Sequence, residues 1–254
     1  MNGVASRDAL VAYLDEFLDT AAWSDKSLNG LQVEGAERVR RVALATDTAQ
    51  ATIDMAIEAG AQMIIAHHGL FWGRVEPVTG PLRSRLASLL RAQVSLYVSH
   101  LPLDAHSEVG NNAVLARLLG LRDLEPFGAW GSGSIGVMGR LPETLDRAGL
   151  AARLEALLGA RPDVLPFGSE AIARVAVVSG AAADLIPAAA SAAVDAFVTG
   201  ETSHTAVHQA RERRLNVLFA GHYATETLGV RALGDHLAER FGLETVFLDV
   251  PTGF

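Results

Sequence analysis

The chain has 254 residues, half of them hydrophobic and 20% charged, with a formal net charge of -8. That length supports one large or two small cores, while the acidic balance argues against a dedicated nucleic-acid binder, whose phosphate contacts need clustered Lys and Arg. With no cysteine present, disulfides, thiolate metal sites and cysteine nucleophiles are excluded.

The opening segment reads as a helix, because Leu10, Val11, Leu14, Phe17 and Leu18 recur at helical spacing, with Ser6 or Asp8 as the cap. Its acidic residues sit where a signal peptide would be apolar. The longest apolar stretch, Gly180 to Val198, is broken by Asp184, Pro187 and Asp195, so no membrane span is expected and the expected location is cytoplasmic. WSDKSLNGLQVEG reads as turn and loop around Asn29-Gly30.

From Arg41 the chain performs one pattern twice. RVALATD (Arg41 to Asp47) predicts a strand, AQATIDMAIEAG a helix ended by Gly60, and AQMIIAHHG a buried strand running into His67. RVAVVSG (Arg174 to Gly180), an Ala-rich helical stretch and VDAFVTGET repeat that order, and the spans Val42 to Ile65 and Val175 to Val198 are equal. The echo continues: VSLYVSH leads into His100 and, as H-x-x-x-D, Asp104, while LNVLFAGH leads into His222 and, as H-x-x-x-E, Glu226. We therefore expect an α/β protein of two similar α/β lobes related by an internal repeat, with a metal cleft between them. Residues 1–125 form the first lobe with its N-terminal helix, 126–170 a junction and 171–254 the second lobe, packed as one unit. The glycine-rich run Gly128 to Gly136 reads as linker, LDRAGLAARLEALLGA as a helix and ARPDVLPFG as a connector. No Walker-type phosphate loop is present, and no obvious basic cradle for a triphosphate is visible.

His67, His68, Asp104, His222 and Glu226 are the metal-ligand candidates. Imidazole with carboxylate suits Zn, Fe, Mn, Ni or Co rather than calcium or magnesium. Five ligands exceed what one zinc takes, so two divalent transition ions are expected, with Glu226 favoured over Asp104 as the bridge. His100 is the candidate to orient a ligand or to act as general acid or base. His106 is a weaker candidate in the same loop, and Glu201 is a candidate cleft residue. His204 and His208, spaced i, i+4, read as a solvated helix face and His236 as structural. Phe71 and Trp72 read as packing residues that could also stack on a planar substrate, and Asn111 and Asn112 as caps of the helix NAVLARLLG.

Together IAHHGLFW, SHLPLDAHSEVGNN, FVTGETSH and AGHYATETLGV, with LNGLQV and ALATD, resemble the Nif-three-like dinuclear metal centre family, whose members are often labelled GTP cyclohydrolase I, type two, homologues. The resemblance covers essentially the whole chain and places the family ligands on His67, His68, Asp104, His222 and Glu226, with His100 close to the metals. It implies two α/β lobes around a two-metal cleft, the short form of the family, and a ring-shaped homohexamer built as a trimer of dimers. The expected activity is metal-dependent hydrolysis, of cyclohydrolase or phosphoesterase type, with a metal-bridged hydroxide as nucleophile on a small-molecule substrate such as a nucleotide or heterocycle. The alternative is a non-enzymatic metal carrier or scaffold.

Overall fold

The structure, a computed structural model, describes residues 3–131 and 133–253. In chain order the elements are β1 (Ala5–Ser6), α1 (Arg7–Phe17), β2 (Gly30–Val33), β3 (Arg38–Val39), β4 (Arg41–Asp47), α2 (Gln50–Glu58), β5 (Met63–His68), α3 (Gly80–Ala92), β6 (Ser95–Val98), α4 (Leu101–Ala105) and α5 (Asn111–Leu118). They continue with β7 (Arg122–Trp130), β8 (Gly133–Leu145), α6 (Arg147–Leu158), β9 (Asp163–Pro166), β10 (Ile172–Val177), α7 (Ile186–Ser191), β11 (Ala196–Thr199), α8 (Ala206–Arg213), β12 (Asn216–Phe219), α9 (His222–Phe241) and β13 (Glu244–Phe247). The chain divides into two compact units: residues up to Leu103 with Gly229–Val250, and Asp104–Leu228 with the residues after Val250. The boundaries expected at 125 and 170 both fall inside the second unit.

The first unit is built on a sheet of order β13-β4-β5-β6-β2. β13, β4, β5 and β6 run parallel and β2 closes the edge antiparallel. Parallel strands covered on both faces read as continuous apolar runs, as MIIAHH does: Met63 to His67 are all buried. Ile64, Ala66, Leu96 and Val98 share one cluster with Ile53 and Ala56 of α2 and Leu89 of α3. Tyr97, from an alternate position of β6, reaches Asp15 of α1 with its hydroxyl at 2.9 Å. Gly234 in the later part of α9 lies so close to Leu44 that a Cβ there would come within 2.0 Å of its Cδ1.

The second unit has the order β7-β8-β10-β11-β12-β9. β10, β11 and β12 are parallel; β8 and β9 flank them antiparallel. Alternate residues serve opposite faces. Val175, Val177, Ala196, Val198 and Leu218 pack with Leu115 of α5 and with Leu150 and Leu154 of α6. Ala176, Phe197, Val217 and Phe219 pack with Ile186 of α7 and Ala206 and Ala210 of α8.

Several local expectations change. The Gly-rich run is not a linker: it forms much of the β7–β8 hairpin, which joins the central sheet through β8. Its glycines permit close strand approach, since a Cβ on Gly136 would lie 2.5 Å from the Val177 carbonyl. The expected connector contains β9, and the expected loop before Glu34 contains β2. Ser6 occupies the N-cap of α1 but makes no side-chain capping bond. Asn111 and Asn112 lie inside α5, whose N-cap is Gly110. Among the described residues no helix is long and apolar enough to cross a membrane.

Candidate metal centre

In the first unit, the parallel strands β5 and β6 bring His67, His68 and His100 to one sheet end. Their ring centroids are 4.7 Å apart for His67–His68, 5.1 Å for His67–His100 and 5.6 Å for His68–His100. Each ring offers a ligand atom within 4.8 Å of the others'. His67 is fully buried, while the side chains of His68 and His100 are 18% and 20% exposed.

The partners of these rings fix their tautomers. Nδ1 of His67 lies 3.0 Å from the Ser99 carbonyl, Nδ1 of His68 2.9 Å from Asp47 Oδ1, and Nδ1 of His100 3.0 Å from both Asp25 oxygens. A carbonyl or an ionised carboxylate can only accept, so each Nδ1 carries the proton and donates it. Holding Nδ1 in this way is the arrangement that orients metal-binding histidines for ligation through Nε2.

Asp25 is the main residue that sequence reasoning missed. Its side chain is 3% exposed and also accepts from the backbone N–H groups of Ser27 and Leu101 and from Asn29 Nδ2. Burial pushes its carboxyl pKa up, but the bond to and charge of His100, with the Asn29 and Ser27 donors, outweigh it and hold the group below the ordinary carboxylate range. Asn29 Oδ1 accepts from the His100 backbone N–H at 2.8 Å, and Gln32 Oε1 accepts from the Leu70 N–H at 2.8 Å, pinning the turn after the paired histidines. The only sequence signal for this layer was a cluster of polar residues before Asn29-Gly30. Trp72 packs against His68 (5.7 Å) and edge-on to His100 (5.1 Å), its Nε1–H donating to the Gly69 carbonyl.

In the second unit, Asp104 is buried and its Oδ1 accepts from Asn111 Nδ2 and Ser179 Oγ, each at 2.8 Å. Asn112 donates to the Asp104 and Ile135 carbonyls and accepts from the Ser179 N–H. The two asparagines therefore hold the acid rather than cap the helix. His222 opens α9, and one turn on Glu226 meets it, Nε2 to Oε2 at 3.0 Å; Nδ1 lies 3.1 Å from Glu201 Oε2. Asp104 and Glu226 also offer carboxylate oxygens within 4.8 Å of each other. Burial lowers the His222 pKa, but the bonds and charges of Glu226 and Glu201 outweigh that and raise it to about 9. Gly180, with φ of +64°, makes the room: a Cβ there would lie 2.1 Å from Glu226 Oε1.

The remaining candidates stand apart. The His106 ring accepts from the N–H groups of Glu108 and Val109, a turn-stabilising role. His204 is exposed and precedes α8, so only His208 is helical; their rings are 6.4 Å apart. His236 bonds the Tyr13 hydroxyl at 2.6 Å and stacks on Phe17, a structural role as expected. The donor chemistry fits divalent transition ions: imidazoles with committed Nδ1 atoms, and buried carboxylates gathered with His222. Buried His/Asp/Glu groups of this chain could hold a metal ion.

Fold and ligand types together define a mixed α/β protein with a candidate metal centre. The profile of the Duf34/NIF3 (NGG1p interacting factor 3) family matches residues 5–253. A Deinococcus radiodurans protein named "GTP cyclohydrolase 1 type 2 homolog" is 46% identical over 251 residues, covering 99% of this chain and 95% of that protein. A Pyrococcus abyssi protein of the same name is 46% identical over 97% of this chain and 99% of its own length. The crystal structure of TTHA1606 from Thermus thermophilus superposes with a TM-score of 0.91 at 48% identity, covering 98% of this chain and all of that one (100%). The chain belongs to the DUF34/NIF3 family.

Proposed function

We propose that this protein is a dinuclear-metal-dependent hydrolase acting on a nucleotide or related heterocyclic substrate, with His67, His68, Asp104, His222 and Glu226 as metal ligands. The carrying observation is the uniform anchoring of the imidazoles: His67, His68, His100 and His222 each direct Nδ1 at an oxygen acceptor. Such anchoring is costly to arrange and is what ligation by Nε2 requires. Two divalent transition ions, when bound, would supply water acidified toward neutral pH and Lewis-acid polarisation of a substrate oxygen. Asp104 is oriented by the Ser179 hydroxyl and the Asn111 amide. His100, with its Nδ1 proton fixed on Asp25, offers Nε2 to receive a proton from the nucleophile and return it to the leaving group.

The relatives' name supports cyclohydrolase-type chemistry as one version of this reading; phosphoester cleavage is the other. The two related lobes and the cleft belong to the same proposal. Each sheet has three consecutive parallel strands, β4-β5-β6 or β10-β11-β12, closed at one edge by an antiparallel strand, as a duplication would leave. A cytoplasmic homohexamer completes the reading, and light scattering on the purified chain tests the assembly. For the activity, metal-loaded protein is assayed against GTP and a panel of nucleotide phosphoesters. Turnover lost in the His67→Ala, Glu226→Ala double variant supports the proposal; equal rates in both proteins, or none in either, reject it.

A further inference from the structure

The ligand set proposed above takes His67 and His68 from the first unit and leaves His100 to carry a proton. Among the described residues, one grouping able to hold an ion lies wholly within that unit. It is His67, His68 and His100, whose ligand atoms lie within 4.8 Å of one another. Strand pairing builds it. β5 and β6 run parallel with Ala66 opposite Val98, so the two histidines that end β5 and the one that follows β6 emerge at the same sheet end.

The layer behind the rings treats His100 as it treats His68. His68 gives Nδ1 to the Asp47 carboxylate at 2.9 Å, and His100 gives Nδ1 to both oxygens of Asp25 at 3.0 Å. Asp25 is itself fixed by the N–H groups of Ser27 and Leu101 and by Asn29 Nδ2, and Trp72 closes on the His100 ring edge-on at 5.1 Å. A carboxylate behind an imidazole sets its orientation and strengthens it as a donor to a metal. Two such carboxylates also compensate the charge of a divalent cation, which three imidazoles alone would leave unbalanced. A tetrahedral ion about 2.0–2.1 Å from each nitrogen spaces three of them about 3.3 Å apart. Donors within 4.8 Å of one another therefore have at most about 1.5 Å to close, and the fourth position is left to water.

We propose that His67, His68 and His100 form a three-imidazole site that takes up the first divalent transition ion, with His100 as a ligand, before Asp104, His222 and Glu226 are engaged. The order follows from an ion pair. Glu226 holds His222 at Nε2 (3.0 Å) and Glu201 holds it at Nδ1 (3.1 Å), and that arrangement has to open before the His222 ring can ligate. The assignment rests on the metal-binding part of the reading above and not on hydrolysis. The proton-carrying role of His100 begins once the acids share the ions.

The test uses full-length protein stripped of metal and given substoichiometric cupric ion. Pulsed electron paramagnetic resonance counts the coordinated imidazoles through their remote nitrogens. Three are expected in wild type, three in Asp104→Asn, Glu226→Gln, and two in His100→Gln. The affinity for the first zinc ion, read by competition with a chromophoric chelator, should fall at least about tenfold in His100→Gln. His204→Gln, which removes an exposed histidine, should match wild type in both measurements. The wild-type count needs no substitution and decides by itself. Fewer than three imidazoles on the first ion in wild type, or an unchanged first affinity in His100→Gln, would overturn the assignment while leaving the metal reading intact. Wild type that takes up no ion would overturn both.

Discussion

Protonation of His222 should make the metal-free protein most stable on the acid side of neutrality, opposite to the usual behaviour of carboxylate-dominated proteins. Burial alone would lower the folded pKa of this ring, but Glu226 and Glu201 outweigh it and raise the value from 6.5 to about 9. A base whose pKa is higher folded than unfolded binds its proton more tightly when folded. The stabilisation is therefore complete below about 6.5 and is lost as pH rises through about 9. At about 1.4 kcal/mol per tenfold change, that gap is worth on the order of 3 kcal/mol. The assay is urea denaturation of chelator-treated wild type and His222→Gln at about pH 6 and about pH 9.5, so that titrations common to both proteins cancel. The wild-type advantage should shrink by roughly 3 kcal/mol between the two pH values, and zinc-loaded wild type should lack this slope because ligation needs the neutral ring. An advantage that stays constant, or grows with pH, refutes the coupling of His222 to its two carboxylates.

Asp25→Ala should destabilise the fold by about 1–3 kcal/mol in the same denaturation assay, because it strands the Ser27 and Leu101 N–H groups and the His100 ring; a neutral effect would deny its anchoring role. Gly180→Ala should reduce bound metal while the far-ultraviolet dichroism stays native, since the new methyl takes the position of Glu226 Oε1; unchanged metal content by elemental analysis would contradict the cradle. Asp104→Asn should lower metal stoichiometry, whereas Ser179→Ala, which removes one of the acid's donors, should weaken affinity by roughly tenfold with stoichiometry kept, both read by calorimetry.

What could be read from sequence divides along physical lines. β4, α2 and β5 were legible because an apolar strand covered on both faces and an amphipathic helix leave different periodicities over short windows. The strand-end histidines followed from those strands. The β7–β8 hairpin was misread because glycine signals both flexibility and close packing, and only the partner strand distinguishes them: Gly139, like Gly136, is pressed against backbone, the Arg122 carbonyl at 2.7 Å from a built Cβ. α3 drew no prediction; most of its surface is solvated and only Leu89 is fully buried. The layer behind the ligands was the least legible. Asp25 and His100, or Asp104 and Ser179, lie 75 positions apart, and no local pattern carries such a pairing. Asn111 and Asn112 were assigned to helix capping, the commonest use of asparagine at that position, because nothing local records the acid they hold.

His67 and His68 are adjacent in β5 but are not equivalent to an engineer. His67 leans on a main-chain oxygen, that of Ser99, which no side-chain substitution removes. His68 leans on the Asp47 carboxylate, at the register position directly across from it, and that anion can be exchanged for an amide. The electron-donating power of one imidazole is thus written into the backbone, while that of its neighbour can be adjusted at a single codon, giving independent control over two chemically identical rings.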